Sequence, residues 1–509
     1  MKRFSSWFVG AFVCMWMGLG PEALPAEVAA QDAPTTAAAP ASALSGSSLR
    51  RLDAAAVRDA RHDDGHAGGP AVPAARRSDA PPVVPADTTV RERFWAWDFH
   101  DAAFHEVWAR EAHGSSVLRI YVEEGQAVPG PALLRLATVF EDEIYPRLRE
   151  AYGSEPLPGI DGDTAVTILL MDIRDGRYHG MPDANYYAGY FDPLNESRQV
   201  DVPAGRKSNE REMIYVDVAA PTNVAGDELL QTVAHEFTHL IVWHHDPDET
   251  DWVTEGICQL AIHIAGLGHP RQHVLAFLNA PDDALTRWTG AARDYGKVHL
   301  FLLYLHDQLA REDPGWLRRL VAEPADGMDG LARLLPPDRP PAEVFRDFAL
   351  ALFVNTPEPG AGRYAFASID LGQPRGYPRA RPNTHAADRV GSEPFTLGPW
   401  SIRGDAFVVK RTPVEITVEA AAPDGVCVGA ATSTNATPAL ARVDRLETAC
   451  LERSPPAWVV EAPERDRATA VFTVVANAAD APTAGALTLA SLAGPMVESA
   501  VYLPFAARR

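Results

Sequence analysis

Residues 227–256 read DELLQTVAHEFTHLIVWHHDPDETDWVTEG. Leu230, Val233, Phe237 and Ile241 recur every three or four residues, the stripe of an amphipathic helix with one face in a core. His235 and His239 lie one helical turn apart, so both imidazoles project from one face and can reach a single metal ion. Glu236 projects beside them. His244 to Asp251 reads as a polar turn, and Trp252 opens a second helix. That helix can pack antiparallel against the first and bring Glu255 to the histidines.

The chain changes character twice around this pair of helices. Upstream, Ser116–Glu124, Ala165–Ile173 and Glu212–Val218 are strand-like, and Pro131–Tyr152 is an amphipathic helix. Downstream, helical spacing continues through Arg271–Leu278, Tyr295–Leu309, Trp316–Val321 and Ala342–Val354. Strands followed by a run of helices predict an α+β domain over 91–357. Beyond Gly376 short β-branched runs return, as in Phe407–Val409, Val414–Val418 and Ala470–Val475. They predict a small β-sandwich-like domain over 376–509.

A catalytic zinc takes three protein ligands and keeps one position open. Two residues compete for the third place. His245 stands ten residues after His235, the metzincin spacing, but that pattern needs glycine where Val242 stands. A β-branched residue tolerates the required turn poorly, and no methionine follows before Met328 to form the later methionine turn. Glu255 is the favoured candidate, giving a set of two histidines and one glutamate. Glu236 is then the general base toward water.

These segments carry a family resemblance. Gly189-Tyr190-Phe191-Asp192-Pro193, Ser208-Asn209, Glu212 to Asp217, His235 to His239 and Trp252 to Gly256 occur in order, followed by Asp294-Tyr295-Gly296 and Leu300–Leu305. Over roughly residues 95–355 the chain resembles the hyicolysin-like secreted gluzincin metallopeptidases. The resemblance implies Zn2+ on His235, His239 and Glu255, with Glu236 as catalytic base and a protein or peptide as substrate. It also suggests Tyr295 as donor to the oxyanion of the tetrahedral intermediate, since similar enzymes place a Tyr or His there from a later helix. One departure stands out: Gln259 occupies a position, four after the glutamate ligand, that is often acidic in gluzincins.

Composition sets the surroundings. The chain has 509 residues, with Asp and Glu outnumbering Lys and Arg 68 to 46, a formal net charge of −22. Such acidity repels phosphate backbones and excludes nucleic acid as a partner. Lys2 and Arg3 precede an apolar stretch from Trp7 to Gly20, the pattern of a signal peptide over residues 1–30. The chain is therefore expected to be secreted, periplasmic or at the cell surface, with no later transmembrane segment. Residues 31–90, rich in Ala, Pro, Asp and Arg, cannot bury enough apolar surface to order themselves and read as a disordered leader or linker. In an oxidising compartment Cys427 and Cys450 can pair, leaving Cys258 free in a helix. The acidic loops at Asp161 and Asp163, at Asp172 and Asp175, and at Asp246, Asp248 and Asp251 are candidates for structural Ca2+, although none has EF-hand spacing. A non-catalytic binding protein on the same fold is the alternative, and the intact Glu236 argues against it.

Overall fold

A computed structural model describes residues 12–15, 90–181, 186–219, 222–373, 375–410, 413–434, 443–451, 456–461 and 468–492. The leader 31–89 and most of the expected signal peptide lie outside the described residues. The α+β expectation holds for the described chain.

Seven strands build the first sheet: β1 (Phe12–Met15), β2 (Arg91–Asp98), β3 (Ala103–Gly114), β4 (Leu118–Glu123), β5 (Val166–Met171), β6 (Tyr187–Phe191) and β7 (Met213–Asp217), in the order β1-β6-β7-β5-β4-β3-β2. The central pairs β4–β5 and β5–β7 are parallel, while β6 runs antiparallel to β7. All residues of β5 and β7 are buried, which explains their unbroken apolar sequence. By contrast, β2 and β3 turn Phe94, Ala96, Val107 and Ala109 inward and charged residues outward. Those outward charges hid both strands from a reading that sought apolar runs.

The predicted helix over Pro131–Tyr152 is composite. It comprises α1 (Gly130–Val139), a widened π-type turn at Phe140–Ile144 and α2 (Tyr145–Tyr152). Pro146 accounts for the interruption: it has no amide to bond back along the helix, and its ring crowds the preceding turn. The long helices follow as α3 (Asp227–His245), α4 (Asp251–Ile264), α5 (Arg271–Asn279) and α6 (Ala292–Leu309), then α7 (Trp316–Val321), α8 (Gly327–Leu334) and α9 (Pro341–Phe353). Gly256 lets α4 and α6 approach closely, since a Cβ there would sit 3.1 Å from Leu302 Cγ.

The C-terminal strands form two sheets. One joins β8 (Asn383–Thr384), β10 (Ser401–Val409), β12 (Val426–Ser433), β13 (Arg445–Cys450) and β15 (Thr469–Asn477). The other joins β9 (Gly391–Leu397), β11 (Val414–Ala420), β14 (Ala457–Val460) and β16 (Thr483–Ser491). Val409, Ile416, Val426, Val475 and Leu487 fill the space between the sheets. Cys427 and Cys450 face each other across β12 and β13 and form a disulfide. The sandwich does not stand apart. Trp400, Ile402, Phe472 and Val474 belong to the same continuous core as Phe345, Leu350 and Phe353 of α9. Among the described residues no helix is long and apolar enough to cross a membrane.

Candidate metal centre

The site is built where α3 crosses the edge of the first sheet and α4 runs beside it. Gly189 on β6 makes the first approach possible: a Cβ there would lie 2.6 Å from Thr232 Cγ2, 2.9 Å from the Tyr215 carbonyl and 3.1 Å from Glu236 Cγ. Only glycine leaves that room, so α3 settles onto β6 with Glu236 against it.

On α3 the Nε2 atoms of His235 and His239 lie 3.1 Å apart. Glu255 Oε2, from α4, is 3.2 Å from the first and 3.7 Å from the second. None of the three residues exposes more than 3% of its surface. Two nitrogens each bound at about 2.0–2.1 Å to one zinc lie roughly 3–3.4 Å apart, so the imidazole spacing suits a shared ion. Glu255 Oε2 is buried with no hydrogen-bond donor beyond the facing rings. A buried carboxylate oxygen so placed is costly unless a cation takes it up. The residues present therefore fit a zinc ion.

Burial governs the electrostatics. It pushes His235 down to about 3, opposed by a hydrogen bond to the Cys258 backbone, and holds His239 well below the ordinary histidine range. Both rings are therefore neutral, the form that ligates metal. Burial also raises Glu236 and Glu255 well above the ordinary carboxylate range; the Glu255 charge adds to the effect on Glu236, and the Phe191 backbone opposes it. A cation beside them reverses that preference and favours both carboxylates.

The neighbours of these four residues differ in part from expectation. Cys258, one turn beyond Glu255 on α4, places its sulfur within 4.8 Å of nitrogens of both histidines and is a second candidate for the third ligand. Helical spacing from Glu255 could have signalled it. His245 points elsewhere: its ring lies against Gly153, within 2.7 Å of where a Cβ would stand. The Gln259 amide is 3.3 Å from His235 Nδ1 and 3.5 Å from His273 Nδ1. It stands where an acidic residue would otherwise accept from the ring, but turns its amide nitrogen to His235 and its oxygen to His273. Tyr295, in the first turn of α6, is 1% exposed, stacks on His273 at 4.9 Å and lies 6.4 Å from the His235 ring. Buried His273 was not anticipated at all. Asp294 fixes this end of α6 by accepting the Thr289 and Ala291 amides and pairing with Lys297 at 2.8 Å.

A cleft of about 690 Å³ is lined by Asp248, Glu249, Asp251, Trp252, Trp288 and Asp326 among others, whereas the pocket that reaches His235, Gln259 and His273 holds only about 10 Å³. Trp288 meets the Tyr295 ring edge-on at 4.8 Å, and the Asp251 charge reaches Glu255. Two of the candidate calcium loops use carboxylates internally. Asp163 binds the Arg119 guanidinium at 2.7 Å, and Asp175 accepts the Arg177, Tyr178 and Tyr187 amides. A further group, Asp98, Asp101 and His179, is likewise committed: Asp98 accepts the His100 and Asp101 amides and lies 4.0 Å from Arg174.

No family model and no curated protein matches the chain. Among solved structures it is similar to the pre-peptidase C-terminal domain of collagenase from Bacillus anthracis, determined at 1.0 Å. That match has 8% identity, a TM-score of 0.15, and covers 22% of this chain and 95% of the other. A likeness at that score carries no argument about fold or function.

Proposed function

We propose that the chain is an exported zinc-dependent endopeptidase. The observation that carries this reading is the convergence of His235, His239 and Glu255 within 3.1–3.7 Å of one another, with Glu236 buried beside them. Zinc held by His235, His239 and Glu255 would supply Lewis acidity toward a peptide carbonyl and a water molecule. Glu236 accepts the proton from that water and delivers it to the departing amine. The Cys258 carbonyl, accepting from the His235 ring, holds it so that Nε2 faces the site. Tyr295 is the proposed donor to the developing oxyanion. The cleft at Asp251 and Trp288, if substrates reach the site through it, favours cationic side chains, because carboxylates and tryptophan faces line it together.

Glu236→Gln tests the reading. It keeps shape and metal content and removes the base, so casein cleavage should fall by about 10²–10⁴. Normal cleavage by the zinc-loaded variant would exclude Glu236 from the reaction. The near-complete burial of the site favours a second reading, a structural metal in a secreted binding protein. That reading requires the zinc-loaded wild-type chain to leave casein intact.

A further inference from the structure

Apart from the candidate metal centre stands a second group of imidazoles. His269 Nδ1 and His299 Nε2 face each other at 3.1 Å, the same separation as the Nε2 atoms of His235 and His239. The outer nitrogens fix the protons. His269 Nε2 lies 2.9 Å from the Ser368 carbonyl, and His299 Nδ1 lies 3.1 Å from the Gln259 carbonyl. A carbonyl can only accept, so each outer nitrogen carries the hydrogen. In two neutral rings the inner nitrogens are then both bare, and two lone pairs point at each other. A partly buried contact of that kind is unfavourable unless something electrophilic lies between them.

An imidazole that gives its far N–H to a backbone carbonyl and turns its free nitrogen inward is arranged as metal-binding histidines are. The local fold supports the arrangement. Gly266 and Gly268, with φ of +83° and +78°, fold the chain back after α4 and bring His269 toward α6. Further donors stand nearby. The His263 ring lies parallel to that of His269 at 4.9 Å, and His306, 6.1 Å from His263, has a buried Nδ1 without a hydrogen-bond partner. Asp307 is the acid of the group, held by the Ser368 hydroxyl and amide.

We propose that His269 and His299 form a second metal site, with water completing the coordination. Nitrogen-rich donors select a borderline divalent ion such as Zn2+ and reject Mg2+ and Ca2+. The ion would tie α4, through the Gln259 carbonyl, and α6 to the chain at Ser368. It would brace the helix that carries Glu255 through the Gln259 carbonyl.

The test counts zinc in the full-length chain by elemental mass spectrometry after equilibration with Zn2+ and removal of excess. Wild type should hold one more zinc per chain than the His269→Gln/His299→Gln double variant. Equal contents overturn the proposal. The comparison is independent of the first site: if His235, His239 and Glu255 bind nothing, the contents become one and zero. Should the double variant fail to fold, the His235→Ala/His239→Ala chain, stripped of both imidazoles of the first site, is titrated with Co2+. Uptake of one equivalent with the visible absorption of nitrogen-ligated cobalt supports the site. Absence of uptake, as when the two rings merely share a proton, overturns it.

Discussion

Glu255 and Cys258 stand three residues apart on α4, so both face His235 and His239, and metal analysis separates them. The carboxylate is the stronger candidate, because its Oε2 lies 3.2 Å from His235 Nε2 and is otherwise unsatisfied. Glu255→Ala should lose the zinc of this site, whereas Cys258→Ser and His245→Ala should keep it; zinc kept by Glu255→Ala and lost from Cys258→Ser would make the thiolate the ligand. Asp246 gives a second prediction at this scale. Burial, a shared hydrogen bond with Asp248 and the charge of Glu249 raise it to about 7, against roughly 3.9 in an unfolded chain. The folded state therefore binds this proton more tightly, and stability falls as pH rises from about 4 to about 7. Asp246→Asn keeps a donor toward Asp248 and removes that penalty. It should stabilise the chain by on the order of 1–2 kcal/mol at pH 8 and hardly at all at pH 4; equal melting temperatures at pH 8 would refute this. His235, His239 and Glu236 were legible in the sequence because helical spacing sets them together on α3, and Glu255 because the short polar turn after α3 lets α4 fold back beside it. His273 and the His269–His299 pair were not, since their partners come from residues distant in sequence.

Elements were legible where one physical signal dominated. Helix α3 runs over Asp227–His245 as its apolar stripe predicted, and β5 and β7 show as apolar runs because they are buried on both faces. Strands β2, β3 and β6 and helix α8 escaped notice. In β6, Tyr187–Phe191, the decisive residue is Gly189, whose lack of a side chain reads as a turn signal but serves close packing. Its replacement tests how α3 is seated. A Val side chain at 189 would collide with Thr232, the Tyr215 carbonyl and Glu236. The backbone contact cannot yield, so α3 must move off the sheet. Gly189→Val should therefore destabilise by about 1–3 kcal/mol or more, as overpacking does, and should impair casein cleavage. Gly162→Val is unsuitable as a control because φ there is +81°; Gly130→Ala, with open space around its Cβ, should leave both properties unchanged. A normal melting temperature and normal cleavage for Gly189→Val would show that α3 tolerates displacement.

At the scale of the whole molecule the sequence implied two domains, and the change of pattern near Gly376 is real, but the packing joins what the pattern divides. Helix α9 lies on the sheet containing β10, β12 and β15. Gly404 and Gly429 are the sockets: a Cβ on either would come within 2.5 Å of Phe353 or 2.9 Å of Leu350. Trp400 adds its ring to Phe345 at 5.4 Å, and Leu285 donates its amide to the Trp400 carbonyl, linking the helical part to the sandwich again. A sequence pattern reports which face of an element is apolar; it does not say which neighbour covers that face. Removing the sandwich should therefore cost the helical part its own core. A chain ending at residue 375 would expose Phe345, Leu350 and Phe353, which are at most 2% exposed in the intact fold. Uncovering one such side chain costs about 1.5–3 kcal/mol, and three together approach the whole stability of a typical domain. The truncated chain should aggregate or melt far below the intact one. Gly429→Val, which keeps the sandwich and wedges it from α9, should lower the melting temperature with a single cooperative transition. A truncated chain that melts at the temperature of the full one, with its zinc and casein cleavage intact, would mean that α9 needs no cover from the sandwich.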